Sequence, residues 1–129
     1  MKRDHSHFLG PIGGLGGKAA NNLAKQTDLA IAIGTKLADF TTGSWANFEN
    51  PEFKLISINV SRFDANKHMA SSVIGDAKVS LNELSQALGN WKAPDAWHKK
   101  SVNELKSWNE YVDKELSLIH ISEPTRRTP

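Results

Sequence analysis

The sequence predicts an α/β fold, a parallel sheet with flanking helices, and three observations carry that expectation. Leu29–Ile33 (LAIAI) is apolar without alternation, as in a strand covered on both faces of a parallel sheet. Further strand patterns at Phe53–Val60 and Val73-Ile74 alternate with helical ones, the arrangement of βα units. Gly34-Thr35 ends the first strand where open α/β sheets place ligands, outside the carboxyl edge.

Taken in order, Met1–Phe8 is polar and without period, and a glycine-rich loop follows at Leu9–Gly17 (LGPIGGLGG). Ala19, Ala20, Leu23 and Ala24 then fall on one helical face, small enough to lie close to a sheet. Gln26-Thr27-Asp28 breaks the period before the Leu29–Ile33 strand. Lys36–Pro51 is dense in turn formers and reads mostly as loop. In Phe53–Val60, Ile56, Ile58 and Val60 share one face, with Leu55, Ser57 and Asn59 on the other. Ser61–Ser72 is polar, with one helical turn expected around Ala65–His68, and Val73-Ile74 is a short third strand. Asp76 is a good N-cap for a helix carrying Ala77, Leu81, Leu84 and Leu88, closed by Gly89. Trp91–Pro94 reads as a linker, and Asp95 as the cap of a last helix from Ala96 to about Leu116. Its stripe of Trp97, Leu105, Trp108 and Val112 either packs on this sheet or leads to a further domain.

The bulk numbers exclude several functions. Sixteen basic and 14 acidic residues give a net charge of +2, no basis for binding nucleic acid or an anionic membrane. The longest apolar run, Leu29–Ile33, is far short of the roughly 20 residues of a membrane span. Met1-Lys2-Arg3 leads into polar residues and not into a signal sequence, so a soluble cytoplasmic protein is expected. Cysteine is absent, which removes disulfides, thiolate metal sites and cysteine nucleophiles.

Chemistry-bearing motifs are few. Gly17-Lys18 is followed by Ala19, which has no hydroxyl for Mg²⁺, and the earlier P-loop glycine position is Ile12. Gly14, Gly16 and Ala19 match the G-x-G-x-x-G/A dinucleotide pattern, but no strand precedes them, and Asp39 lies in a loop instead of ending a second strand. The stronger reading is that the glycines turn the chain sharply into the helix. His5 and His7 have no third ligand nearby in sequence, and His68, His98 and His120 are scattered, so no metal site is expected. There is no G-x-S-x-G elbow. Lys36 and Asp39 offer an acid-base pair at the strand end, though a solvated pair explains them as well. No catalytic residue is assigned.

Read together, GTKLADFTTGS (Gly34–Ser44), NPEFKLISINVSRFDANKH (Asn50–His68) and GDAKVSLNEL (Gly75–Leu84) resemble the central domain of thiamine-diphosphate-dependent enzymes related to acetolactate synthase. The resemblance covers about Leu9 to Leu88, more loosely to about Glu115. Within the family, the wording of Asp39–Ser44, Ile58–Val60, Phe63–Ala65 and Lys67-His68 is similar to a branch that opens a cyclic diketone by hydrolytic C–C cleavage in myo-inositol catabolism. The resemblance implies a Rossmann-like domain, incomplete at its amino terminus. It implies a homo-oligomeric parent whose thiamine diphosphate and Mg²⁺ are bound outside this chain, by an amino-terminal glutamate domain and a carboxyl-terminal Gly-Asp-Gly domain. The cofactor there supplies the electron sink for C–C cleavage.

In relatives this domain holds FAD or ADP near the strand ends. The positions loosely corresponding here are Gly34, Thr35, Asn59 and Asp76, as a vestigial nucleotide crevice with no nucleotide expected. The expected division is a truncated central domain at 1–90, a linker and helix toward a missing domain at 91–115, and a non-native, adapter-like tail at 116–129. The expected role of the chain is structural, and alone it should be inactive. Two rivals are a free-standing module binding FAD, ADP or NAD, and the central domain of an acetolactate synthase-like enzyme.

Overall fold

A computed structural model of the chain describes residues 5–122. Seven residues, Lys18–Ala24, form helix α1, whose Ala19, Ala20 and Leu23 are buried. Strand β1 is Leu29–Ile33 and strand β2 is Lys54–Asn59, with a short helix α2 at Asp39–Thr42 between them. Helix α3, Arg62–Ala65, and a 3₁₀ turn at Lys67–Met69 lead to strand β3, Ser71–Ile74. Helix α4 spans Ala77–Leu88 and helix α5 spans Asp95–Ser122.

The three strands form one parallel sheet in the order β1-β2-β3. Leu29 lies against Lys54 and Ile33 against Ile58, while Ile56 lies against Ser71 and Asn59 against Ile74. The centre of the sheet is β2, so Leu55, Ser57, Ile58 and Asn59 are buried on both of its faces. On one face, Ala32, Leu37 and Leu55 form a core against which Ala30, Trp45, Phe53 and Ala70 pack.

Several expectations change. The first strand is not covered on both faces: Leu29, Ile31 and Ile33 are 46%, 39% and 41% exposed, because no described element lies over that side of β1. The segment read as loop holds α2, which Gly43 ends in the left-handed conformation. The helical turn expected at Ala65–His68 is split, because His68 takes φ +58° and interrupts it. Leu81 and Leu88 of α4 stay 40% and 44% exposed, so the stripe drawn on that helix is only partly used. Helix α5 packs against α1, with the Trp108 indole against Gly17, while Trp97 of its stripe lines a cavity with Ala30 and Ala32 of β1. α5 also runs past Leu116 to Ser122, and the remainder of the expected tail, 123–129, lies outside the described residues.

Candidate functional site: the carboxyl ends of the strands

Of the four residues expected at the strand ends, the structure gathers three. Gly34 leaves β1 with its N–H donating to the Ile58 carbonyl at 2.9 Å and turns at φ +61°. A Cβ there would meet nothing within 4 Å, so the position faces open space and its glycine serves the turn. Asn59, 8% exposed, ends β2 and ties the neighbouring loops together. Its amide nitrogen donates to the Thr35 carbonyl at 3.1 Å, its amide oxygen accepts from Ser61 N–H at 2.9 Å, and its carbonyl accepts from Gly75 N–H at 3.1 Å. The Thr35 hydroxyl accepts from Leu37 N–H at 3.3 Å. Asn59 therefore clasps the ends of all three strands.

Asp76 stands next in sequence to Gly75, but its carboxylate serves its own helix. One oxygen accepts from Lys78 N–H at 2.9 Å and from Val79 N–H at 3.0 Å, which satisfies two of the amides that every helix start leaves open. The polar groups of the crevice are thus spent on holding the fold.

The glycine loop is spent in the same way. Gly13 N–H donates to Asn21 Oδ1 at 2.8 Å, Gly14 N–H to the Phe40 carbonyl at 3.0 Å, Gly16 N–H to the Gly13 carbonyl at 2.9 Å and Gly17 N–H to the Pro11 carbonyl at 3.1 Å. A phosphate cradle needs such amides free and convergent. Asn21 also donates back to the Gly13 carbonyl at 3.1 Å and accepts from Asn47 Nδ2 at 3.1 Å, with Asn47 itself buried. Asn21 and Asn47 are key positions that motif reading missed. The sequence signal is an asparagine set between Ala20 and Leu23, next to the buried face of a short helix.

A second cluster lies beneath the same layer. Trp45 stacks on His68 with ring centroids 4.2 Å apart, and His68 Nε2 is 3.1 Å from the Leu37 carbonyl. A carbonyl only accepts, so Nε2 carries the hydrogen. Leu37, Ser44, Trp45, His68 and Met69 all take positive φ, a concentration of backbone strain held by this stack. It lines a cavity of about 370 Å³ with Phe48 and Phe53.

The remaining candidates fall apart or regroup. The described ion pairs are Lys25–Glu49, Lys67–Asp64 and Lys106–Glu110, so Lys36 and Asp39 do not pair. The hydrogen bond from Lys67 holds the Asp64 carboxyl below its ordinary value, helped by Ser61 and opposed by desolvation. His98, distant in sequence, comes to the neighbouring pair His5 and His7, with ring centroids 5.2 Å apart for His5–His7 and 4.7 Å apart for His7–His98. Among the described residues no three His, Cys, Asp or Glu side chains are arranged to hold a metal ion. No described helix is long and apolar enough to cross a membrane.

A parallel βα layer with short loops at the carboxyl ends of its strands defines a domain of the open α/β class. Residues 1–84 match the family of the thiamine pyrophosphate enzyme central domain, and the chain belongs to that family. It is 42% identical over 114 residues to a 3D-(3,5/4)-trihydroxycyclohexane-1,2-dione hydrolase of Clostridium perfringens, covering 88% of this chain and 18% of the relative. It is 39% identical over 120 residues to 3D-(3,5/4)-trihydroxycyclohexane-1,2-dione hydrolase 2 of Bacillus cereus, covering 93% of this chain and 18% of the relative. A Bacillus anthracis protein of the same name is 38% identical over 120 residues. The chain thus spans about 18% of the length of the curated relatives it matches.

Proposed function

We propose that this chain is the central domain of a thiamine-diphosphate-dependent hydrolase that opens the ring of trihydroxycyclohexane-1,2-dione by C–C cleavage in inositol catabolism. The observation that carries the reading is 42% identity to a hydrolase of that name across 88% of the chain. The domain's part is architectural: it spaces the cofactor-binding regions of a homo-oligomeric, cytoplasmic enzyme, and thiamine diphosphate with Mg²⁺ is bound outside it. Residues 1–90 form the domain proper, 91–115 the connection onward, and 116–129 a non-native tail. Gly34, Thr35, Asn59 and Asp76 mark a nucleotide crevice turned to structural use, which fits the way Asn59 and Asp76 spend their hydrogen bonds.

The test is a chimera. Residues 9–115 of this chain replace the matching segment of the Clostridium perfringens hydrolase, and ring opening is followed. Hydrolase activity within about tenfold of the parent is expected, since remote scaffold changes act through positioning. A folded, cofactor-loaded chimera without that activity would refute the assignment. Titration of the isolated chain with FAD, ADP and NAD separates the binding-module reading, which requires micromolar affinity. The consumed amides of the glycine loop weigh against it.

A further inference from the structure

Two stretches distant in sequence hold the non-glycine residues of positive φ: Leu37 at +45°, Ser44 at +52° and Trp45 at +70°, then His68 at +58° and Met69 at +55°. For bulky Leu37 and Trp45 this conformation is an outlier, and it persists only where contacts impose it. One imidazole joins the two stretches. His68 Nε2–H donates to the Leu37 carbonyl at 3.1 Å, and its ring lies on that of Trp45 at 4.2 Å and 23°. His68 is itself exposed, so little else keeps the ring there. On its other side Leu37 reaches the strand ends. Its N–H donates to the Thr35 hydroxyl at 3.3 Å, and the Thr35 carbonyl accepts from the Asn59 side chain at 3.1 Å. Gly34, at φ +61° with nothing within 4 Å of a Cβ, is a free hinge at one end of this loop. Helix α2, tied through the Phe40 carbonyl to Gly14 N–H, is a fixed anchor at the other.

We propose that His68 is the pin of a two-state clasp on the loop 35–38. In the closed state its ring holds Leu37 at positive φ, and Thr35 occupies the Asn59 side-chain amide. When the ring leaves Trp45, the Lys36–Leu37 peptide flips and Leu37 relaxes to negative φ. Its side chain keeps its place against Ala32 and Leu55. The flip turns the Leu37 N–H away from the Thr35 hydroxyl, the loop swings about Gly34, and the Asn59 amide loses Thr35. The strand-end crevice therefore has an open state, in which a polar group that the closed state spends is free. Backbone strain drives the opening, while one stack and one hydrogen bond restrain it, so the two states lie close in free energy. The sheet takes no part: Lys54 N–H donates to the Asp28 carbonyl and Gly75 N–H to the Asn59 carbonyl, both outside the loop.

The test is nitrogen-15 relaxation dispersion and saturation-transfer NMR on the full 129-residue chain, which detect exchange with a minor state on the microsecond-to-millisecond scale. The backbone amides of Thr35, Leu37, Trp45 and Met69 and the Asn59 side-chain amide should exchange at one common rate, with a minor state of about 1–10%. The Lys54 and Gly75 amides should be silent. His68→Gly keeps the left-handed backbone without strain and removes the ring, so it should raise the open-to-closed ratio at least about tenfold. His68→Phe, which keeps a ring for the stack but has no N–H to donate, should fall between. Lys78→Met, on α4, should change nothing. Should the His68 variants fail to fold, the shared exchange of the wild-type chain decides. Three results would overturn the proposal: no common exchange in the wild type, a ratio indifferent to His68→Gly, or an opening that reaches the Lys54 and Gly75 amides.

Discussion

Replacing Gly13 by alanine tests the idea that the glycine loop is a structural lock. Gly13 sits at φ +94°, and an added Cβ would lie 2.2 Å from the Phe40 carbonyl oxygen and 2.6 Å from that of Thr41. Both are backbone atoms, so no rotamer change relieves the overlap. Gly10 provides the control, with φ +91° and nothing within 4 Å of a Cβ. Both variants pay the conformational penalty of a positive φ, about 1–3 kcal/mol. Only Gly13→Ala must also push the loop off α2, which disrupts the Gly14–Phe40 bond and the paired bonds between Gly13 and Asn21. At about 1 kcal/mol per bond, Gly13→Ala should cost about 2–3 kcal/mol more than Gly10→Ala. That excess is a large part of a small domain's stability. Urea unfolding followed by tryptophan fluorescence at equal protein concentration measures the difference. Equal stabilities within about 0.5 kcal/mol would refute the lock, because Gly13 would then not lie against the Phe40 and Thr41 carbonyls.

Further outcomes follow from the strand ends. Asn59→Ala should destabilise by about 2 kcal/mol, since Thr35 and Ser61 each lose a partner, and urea unfolding reads it. Asp76→Ala should cost about 1 kcal/mol and Asp76→Asn much less, because an amide oxygen still caps α4; a ligand role would make both equally damaging to binding and neither to stability. Asp64, whose folded carboxyl ionises below its ordinary value, stabilises the fold at pH above the unfolded carboxylate range and loses that effect as pH falls through the folded value. The stability gap between wild type and Asp64→Asn should therefore narrow between neutral pH and about pH 3, as followed by unfolding at each pH, and a widening gap would reverse the sign.

Apolar periodicity made the strands and most of the helices legible. Strand β1 was placed at its observed bounds because five apolar residues between turn formers allow little else. Helix α4 was equally plain, bracketed by Asp76 and Gly89. Helix α2 was hidden because four residues give no period, and its Asp-Phe-Thr-Thr reads as turn chemistry. The left-handed His68 was hidden too, since only its stack on Trp45 and its bond to the Leu37 carbonyl hold it there.

What the sequence determined by itself is local: the order of strands and helices, the caps of α4, and the wording that resembles one enzyme family. Tertiary structure decided what those residues do. Asn59 reads as a candidate ligand-binding group until Thr35, Ser61 and Gly75 close around it. The glycines read as a sharp turn into α1, but only the fold shows that Asn21 and Phe40 take the amides of Gly13 and Gly14. The physical reason is the same in both cases. A polar group's role is set by which partners reach it first, and partners distant in sequence are brought by packing, which no window of sequence contains.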